Sequence, residues 1–109
     1  MNKNFGLNDL QLKIIKSILD SFLKPYKNIN IFVFGSRSLG TEKKYSDIDL
    51  WIDSSPILTV KQIAQLSEIF EESDLSIHVD IISDKTCFES YRNRILKERV
   101  LWDSVFTIA

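Results

Sequence analysis

The sequence has little cysteine, little net charge and no long apolar run, and each shortage excludes a class of protein. Cys87 is the only cysteine among 109 residues, which excludes an intramolecular disulfide and a cysteine-rich zinc site and favours a reducing compartment. The 14 Lys and Arg nearly balance the 15 Asp and Glu, so tight binding to long nucleic acid is not expected. No apolar run approaches the roughly 18 residues of a membrane span, and the first thirty residues do not resemble a secretory signal. We therefore expect a soluble cytoplasmic protein without a membrane partner.

The length allows one domain with one core, and we expect residues 1–109 to form it. Apolar residues at helical spacing predict a helix from Asn8 to Leu23, with Asn8 and Gln11 placed as a capping box. A second capping box, Thr59 with Gln62, predicts a helix that buries Val60, Ile63, Ala64, Leu66 and Phe70.

The other segments predict alternating strands and helices. They are strands at Ile29–Phe34, Ile48–Ile52 and Ser76–Ser83 and a short helix at Ser36–Gly40. A third capping-box pattern, Thr86 with Glu89, predicts a helix to about Val100 that buries Phe88, Ile95 and Leu96. This order predicts an α+β fold close to α/β, with a small mixed sheet flanked by helices. The apolar residues of 100–108 either cap the core or form an interface.

The end of the first predicted strand carries the first candidate site residues. Gly35 lets the backbone approach a ligand closely, and the helix that follows points N–H groups toward anionic oxygens. Ser36 adds a hydroxyl donor, and Arg37 either meets phosphate or remains in solvent. A plain strand-to-helix turn with a serine cap is the structural alternative.

Carboxylates on two of the predicted strands are the second candidate feature. Asp47 and Asp49 lie two residues apart, so both side chains are expected on one face of their strand. Asp80 lies within an apolar strand, where a buried carboxylate without a metal or partner would cost several kcal/mol, roughly. If the two strands are adjacent, the three carboxylates converge and suit two divalent ions about 3.5–4 Å apart.

Three further residue types have simpler interpretations. His78 shares the predicted face of Asp80, but a single histidine is more often a surface or core residue than a general base. Trp51 is expected to pack rather than to stack on a base. Lys43 and Lys44 are expected in a solvated loop, from which they could close over a nucleotide.

The chain resembles the DNA polymerase β-like nucleotidyltransferase superfamily in three features. These are the segment from Phe34 to Gly40, the ten-residue spacer between Gly35-Ser36 and Asp47-x-Asp49, and the later Asp80. The length and flanking residues are similar to its minimal nucleotidyltransferase (MNT) branch, and the resemblance extends from about Ile29 to Ser104. It implies the nucleotidyltransferase fold and transfer of AMP from ATP to a hydroxyl with release of pyrophosphate.

Carried onto this sequence, the resemblance implies that Gly35 and Ser36 hold the triphosphate. Asp47 and Asp49 would bind both Mg²⁺ ions, and Asp80 would bind the catalytic ion near the acceptor. Minimal members are often the antitoxin paired with a helical HEPN-domain ribonuclease toxin, so the implied acceptor is a tyrosine of such a partner. Many relatives carry a basic residue where this chain has Leu39, for which Lys43 or Lys44 could substitute.

Two other functional classes remain open at this point. The chain could neutralise a partner by binding alone, without catalysis. It could also transfer a nucleotide to a small molecule such as an aminoglycoside, although such enzymes usually have a further domain to hold the acceptor.

Overall fold

The structure is a computed structural model that describes residues 4–84, 86–87 and 89–102. Within these residues helices and strands alternate along the chain. The elements are α1 (Asp9–Leu23), β1 (Lys27–Phe34), α2 (Ser36–Leu39), β2 (Ile48–Ser55), α3 (Val60–Glu72), β3 (Val79–Ile82), α4 (Glu89–Glu98) and β4 (Val100–Leu101). None of the helices in the described ranges combines the length and apolar character needed to cross a bilayer.

The strands form one mixed sheet in the order β3-β2-β1-β4. Strand β1 pairs antiparallel with both β2 and β4, whereas β2 and β3 run parallel. A parallel pair needs a crossover connection, and α3 provides it between β2 and β3. The predicted small mixed sheet flanked by helices is confirmed.

Two of the three predicted capping boxes are confirmed. The Asn8 side chain accepts from the Gln11 backbone N–H at 2.8 Å, and the Gln11 side chain accepts from the Asn8 N–H at 2.9 Å. Thr59 and Gln62 make the same reciprocal pair at the start of α3. Each such box satisfies backbone donors that the first turn of a helix leaves unpaired.

The third predicted capping box, which involved Thr86 and Glu89, is wrong. Helix α4 begins at Glu89, so Thr86 lies too far upstream to be its N-cap residue. Its hydroxyl instead accepts from the Ser83 backbone N–H at 2.9 Å and closes the turn after β3. The same residue types serve turns as well as caps, which explains the error.

Some predicted core positions of the helices are exposed. On α3, Ile63, Leu66 and Phe70 are buried as predicted, but Val60 is 69% exposed and Ala64 is also exposed. On α4, Ile95 is buried and Leu96 is 39% exposed, while Phe88 lies outside the described residues. Each helix contacts the sheet along a narrower stripe than its apolar residues suggest, because a helix that packs against one sheet buries only about a third of its circumference.

Strand boundaries differ from the predicted ones by two to three residues at some ends. Strand β2 continues to Ser55 rather than ending at Ile52, and β3 begins at Val79 rather than Ser76. The alternation predicted for β3 is confirmed, since Val79 and Ile81 are buried and Asp80 lies on the other face. Asp80 is exposed, however, so the burial that the sequence argument expected for its carboxylate is wrong.

The inner face of the sheet packs against α1 and α3 and forms the hydrophobic core. Its buried strand residues are Ile31, Val33, Ile48, Leu50, Ile52, Val79 and Ile81. Near the C-terminus, Trp102 is buried and stacks on Phe5 with ring centroids 5.9 Å apart, so this part of the apolar tail caps the core. Residues 105–108 of that tail lie outside the described residues.

Candidate active site

The turn after β1 brings the backbone directly against a carboxylate. Gly35 has φ +75° and precedes α2, a conformation that favours glycine over residues with a side chain. A Cβ atom built on Gly35 would lie 2.4 Å from an Asp49 carboxylate oxygen, so only glycine fits this position. Ser36, the first residue of α2, is half-buried beside it. Gly35 thus lets the backbone approach the Asp49 carboxylate closely, and its role in binding a ligand stays a prediction.

One row of the sheet carries two of the predicted carboxylates. Asp49 of β2 is in register with Asp80 of the parallel strand β3 and, on its other side, with Phe34 of β1. Asp47 lies one residue before β2, in an exposed position, and not on the strand as the sequence predicted. The two aspartates of the Asp-x-Asp motif therefore differ in surroundings, with Asp49 half-buried and Asp47 in solvent.

The electrostatics at Asp49 reflect this crowding. Burial, followed by repulsion from Asp80 and Asp47 and a side-chain hydrogen bond with Asp80, raises the pKa of Asp49 to about 6, and His78 opposes the shift. Burial disfavours the charged form of a carboxyl group, and neighbouring carboxylates add to that effect. The cluster therefore favours binding of cations.

A second cluster shares Asp47 and Asp80 with the first. One ligand atom each from Asp47, His78 and Asp80 lies within 4.8 Å of the others. The His78 ring contacts Asp80 Oδ1 through Nε2 at 2.9 Å and Glu71 Oε1 through Nδ1 at 2.6 Å. Its hydrogen bond with Asp80, opposed by partial burial and assisted by Glu71, raises the pKa of His78. Oxygen donors in this arrangement, with an imidazole beside them, suit a divalent metal ion.

Glu71 is a residue of this site that sequence analysis missed. It lies near the end of α3 and meets His78 across the turn into β3. Nothing in the sequence marks this contact, because the two residues are seven apart and lie on different elements. Only the packing of α3 on β3 brings them together.

The structure buries Arg37, so the alternative that it remains in solvent is wrong, and it gives the guanidinium backbone partners. Arg37 is 3% exposed, and its guanidinium donates to the Ser46 carbonyl from Nε at 3.2 Å and Nη2 at 2.8 Å, and to the Phe5 carbonyl from Nη1 at 2.8 Å. Burial lowers the pKa of Arg37, and Glu42 and Asp47 oppose that shift. Because Ser46 immediately precedes Asp47, the buried guanidinium fixes the loop that carries this carboxylate. The geometry does not support Arg37 as a phosphate ligand.

Lys43 and Lys44 lie exposed in the loop before Asp47, as the sequence predicted. The loop turns on a hydrogen bond from the Lys43 backbone N–H to the Ser46 hydroxyl at 2.8 Å. The Lys44 ammonium lies 5.4 Å from the centre of the Tyr45 ring. Both lysines thus lie in an exposed loop that leads into Asp47.

A pocket of about 360 Å³ opens next to Gly35 and Asp49, between the outer face of the sheet and α4. Its walls are largely apolar, and polar groups from α4 line its edge. The lining residues are Phe34, Gly35, Asp49, Ile82, Thr86, Cys87, Tyr91, Arg94, Ile95 and Glu98. Burial and, secondarily, Glu89 raise the pKa of the Cys87 thiol, so this group is not an activated thiolate.

Two arginines hold α4 over the outer face of the sheet. The Trp51 ring is 1% exposed and donates from Nε1 to Asp53 at 2.9 Å, which confirms that Trp51 packs rather than stacks on a base. The Arg92 and Arg99 guanidinium carbons lie 5.6 and 5.4 Å from its ring centre, and Arg99 lies 3.8 Å from the centre of Phe32. We call these four side chains the arginine–aromatic clamp. It fixes the helix that forms one wall of the pocket.

This fold, with a glycine turn against paired aspartates on neighbouring strands, defines a nucleotide-transfer enzyme, and comparison with known proteins agrees. Residues 13–103 match the family described as the nucleotidyltransferase domain, and the chain belongs to that family. It is 40% identical over 91 residues to the probable protein adenylyltransferase MntA of Haemophilus influenzae, covering 84% of this chain and 77% of MntA.

Solved structures show the same architecture. A toxin–antitoxin complex crystallised with AMP-PNP matches with a TM-score of 0.68 and 25% identity, over 88% of this chain and 73% of that one. A tri-AMPylated HEPN toxin of Shewanella oneidensis in complex with its MNT antitoxin matches with a TM-score of 0.63, over 88% of this chain and 71% of that one. At 18% identity, this second likeness concerns the fold alone. The resemblance to minimal nucleotidyltransferases inferred from the sequence is confirmed.

Proposed function

We propose that this nucleotidyltransferase is a Mg²⁺-dependent protein adenylyltransferase. It moves AMP from ATP to a hydroxyl group, most simply that of a tyrosine, on a helical HEPN-domain ribonuclease toxin, and so acts as the antitoxin. The observation that carries the proposal is the alignment of Asp49 with Asp80 on adjacent strands, next to Asp47 and the Gly35 turn. The cytoplasmic location inferred from composition stays a prediction.

Asp47, Asp49 and Asp80 would hold the two Mg²⁺ ions. The residues fit this role because their oxygens are hard donors and because burial, together with repulsion from Asp80 and Asp47, raises the pKa of Asp49, a shift that a bound cation would oppose. Bound Mg²⁺ would supply positive charge to the triphosphate and to the attacking oxygen.

The turn and the pocket would place the nucleotide. Gly35 removes the side chain that would block approach to Asp49, and the Ser36 hydroxyl and backbone N–H would donate to a triphosphate. The neighbouring pocket is apolar and large enough for a nucleoside, with α4 covering it. Arg37 is left out of this set, because its donors already serve backbone carbonyls.

In the proposed reaction, the tyrosine oxygen forms a bond to the α-phosphorus of ATP. The bond between that phosphorus and the oxygen leading to the β-phosphate breaks, pyrophosphate leaves, and the hydroxyl proton passes to solvent. Asp80 lies exposed at the surface, on the side from which a protein acceptor can approach.

The relatives support the identity of the acceptor. The Haemophilus influenzae relative, at 40% identity, is described as a probable protein adenylyltransferase, and the structural neighbour at 25% identity is a toxin–antitoxin complex with an ATP analogue. The described residues form a single sheet whose carboxylate cluster faces solvent. Such an open cluster is accessible to an acceptor as large as a protein.

Nucleotide binding is the first test. Calorimetric titration of the purified protein with ATP and Mg²⁺ should give metal-dependent binding that Asp49→Asn abolishes. Asp20→Asn is the matched control, because it removes one carboxylate from α1 on the other side of the sheet. Equal affinity of the Asp49→Asn protein would remove the site assignment.

Transfer to the partner is the second test. The toxin partner, incubated with ATP, Mg²⁺ and catalytic amounts of this protein, should gain one or more AMP masses and lose ribonuclease activity. Asp80→Ala should bind the partner without modifying it. If Asp80→Ala, or the wild type without ATP, neutralises the toxin equally well at substoichiometric ratio, neutralisation is by binding alone and the enzymatic proposal is wrong.

A further inference from the structure

The His78 ring lies between carboxylates from two different elements. Its Nδ1 contacts Glu71 of α3 at 2.6 Å, and its Nε2 contacts Asp80 of β3 at 2.9 Å. All three side chains are partly exposed, so a solvated cation can reach them. A simple pair of surface ion contacts is one explanation of this geometry, and metal ligation is another.

The spacing of His78 Nε2 and Asp80 Oδ1 suits two ligands of one ion. One atom each of Asp47, His78 and Asp80 lies within 4.8 Å of the other two. Around an octahedral ion with bonds of about 2.1 Å, neighbouring ligand atoms lie about 3 Å apart and opposite ones about 4.2 Å apart. The 2.9 Å from His78 Nε2 to Asp80 Oδ1, which is a hydrogen bond in the metal-free site, equals the separation of two neighbouring ligands of one ion, so a metal could replace the shared proton without moving either residue.

Glu71 gives the imidazole the orientation that a metal ligand needs. A carboxylate that accepts the Nδ1–H of a histidine holds the ring in one tautomer and leaves the Nε2 lone pair for a metal. Here Glu71 contacts Nδ1 while Nε2 points to Asp80. Glu71, the His78 ring and Asp80 thus lie in the order of outer carboxylate, histidine and metal site that is found around ligating histidines in metalloproteins.

We infer that His78 Nε2 is a direct ligand, together with Asp47 and Asp80, of the metal ion at the acceptor side of the site. This inference rests on the proposed function, which places a metal at Asp80, and adds a nitrogen ligand to it. Mg²⁺ prefers an all-oxygen shell, whereas first-row transition ions accept imidazole. The site should therefore bind Mn²⁺ more tightly than Mg²⁺, and His78 should be the reason.

A single histidine makes the test direct. Because His78 is the only histidine in the chain, a ¹⁴N imidazole coupling to bound Mn²⁺ in pulsed electron paramagnetic resonance can come from no other residue of a tag-free protein. We expect that coupling with Mn²⁺ alone in the wild type and its loss in His78→Gln. Mn²⁺ affinity should fall about tenfold or more in His78→Gln and in Glu71→Gln.

The controls separate this inference from the proposed function. Glu68→Gln removes an exposed carboxylate one turn earlier on α3 and should leave Mn²⁺ affinity unchanged. Mg²⁺ affinity should change much less than Mn²⁺ affinity in His78→Gln, because the oxygen ligands remain. If the wild type binds Mn²⁺ without ¹⁴N coupling, the inference is wrong while the carboxylate site stands. If the wild type binds neither ion, with or without ATP, both the inference and the proposed metal site are wrong.

Discussion

The two faces of the sheet are built from the same strands but have opposite properties. On β2, Ile48, Leu50 and Ile52 point to the inner face and are fully buried, whereas Asp49 and Trp51 point to the outer face. The inner face packs against two long helices, and the outer face is partly covered by α4 and open at the carboxylates. Successive side chains of a strand alternate between faces, so one residue can stabilise the core while its neighbour contributes to the candidate active site.

This arrangement explains how a short chain can tolerate crowded carboxylates. The inner face supplies an apolar core that does not depend on the charges of the outer face. The outer face can then carry Asp49 with a pKa raised to about 6, a cost that cation binding would remove. Substitutions on adjacent residues of β2 should therefore have opposite effects, and the following predictions test that contrast.

The largest effect is expected on the inner face. Leu50→Ala removes a fully buried side chain from the central strand and should lower the free energy of unfolding by about 2–5 kcal/mol. Urea denaturation followed by circular dichroism measures the change. Leu96→Ala is the matched control, since Leu96 is substantially exposed and should change stability by less than about 0.5 kcal/mol. Comparable losses in both variants would contradict the assignment of the inner face as the main core.

The second largest loss of stability is expected at Arg37, a buried residue that also holds the loop before the carboxylate site. Arg37→Met removes the donors to the Phe5 and Ser46 carbonyls and should lower the free energy of unfolding by about 2–3 kcal/mol. It should also weaken Mg²⁺-ATP binding, because the loop before Asp47 loses its anchor. Arg37→Lys keeps the charge but cannot make the forked contact, so it should recover little of either property. Full recovery by lysine would show that charge alone matters at this position.

The sequence was sufficient to predict the parts of the fold and site that depend on local pattern. Alternation predicted the two faces of β3, and the reciprocal residue pairs predicted the starts of α1 and α3. The spacing of Gly35, Asp47 and Asp49, with Asp80 on a second strand, identified the cluster. These features succeed because strand alternation and capping follow from residues close in sequence.

Features that depend on contacts between distant residues could not be predicted. Arg37 lies beside the phosphate turn in sequence, yet its guanidinium turns away to the carbonyls of Phe5 and Ser46. Glu71 reaches His78 only because α3 packs on β3, and Thr86 serves a turn rather than a cap. Each of these contacts depends on how the helices, strands and loops pack together. The order of residues in the sequence does not show that packing.

A smaller effect, of opposite sign to that of Leu50→Ala, is expected at Asp49 in the metal-free protein. The pKa of about 6 exceeds the ordinary 3.8, so the folded state binds the proton more tightly than the unfolded state. The contribution of Asp49 to the free energy of unfolding is therefore fully present below about pH 3.8 and is lost as the pH rises through 6. At pH 7 with a chelator, Asp49→Asn should thus be more stable than wild type by on the order of 1 kcal/mol, allowing for solvent screening.

Urea midpoints measured between pH 4 and pH 7.5 would test this. The difference between Asp49→Asn and wild type should grow with pH across that window and shrink when Mg²⁺ is added to both proteins. A constant difference, or one that falls as the pH rises, would show that Asp49 is not destabilised by its surroundings.

The smallest effect on stability is expected at the arginine–aromatic clamp. Arg99 stacks on Phe32 and Trp51 and lies 3.8 Å from Asp53, so Arg99→Met should lower the free energy of unfolding by only about 0.5–1 kcal/mol. Because the clamp holds α4 over the pocket, the same change should weaken ATP binding more than this small loss implies. Lys97→Met removes an exposed cation from the same helix and should leave both properties unchanged. If Arg99→Met and Lys97→Met bind ATP equally well, α4 keeps its place over the pocket without the clamp, and the outer face is organised by the carboxylate site alone.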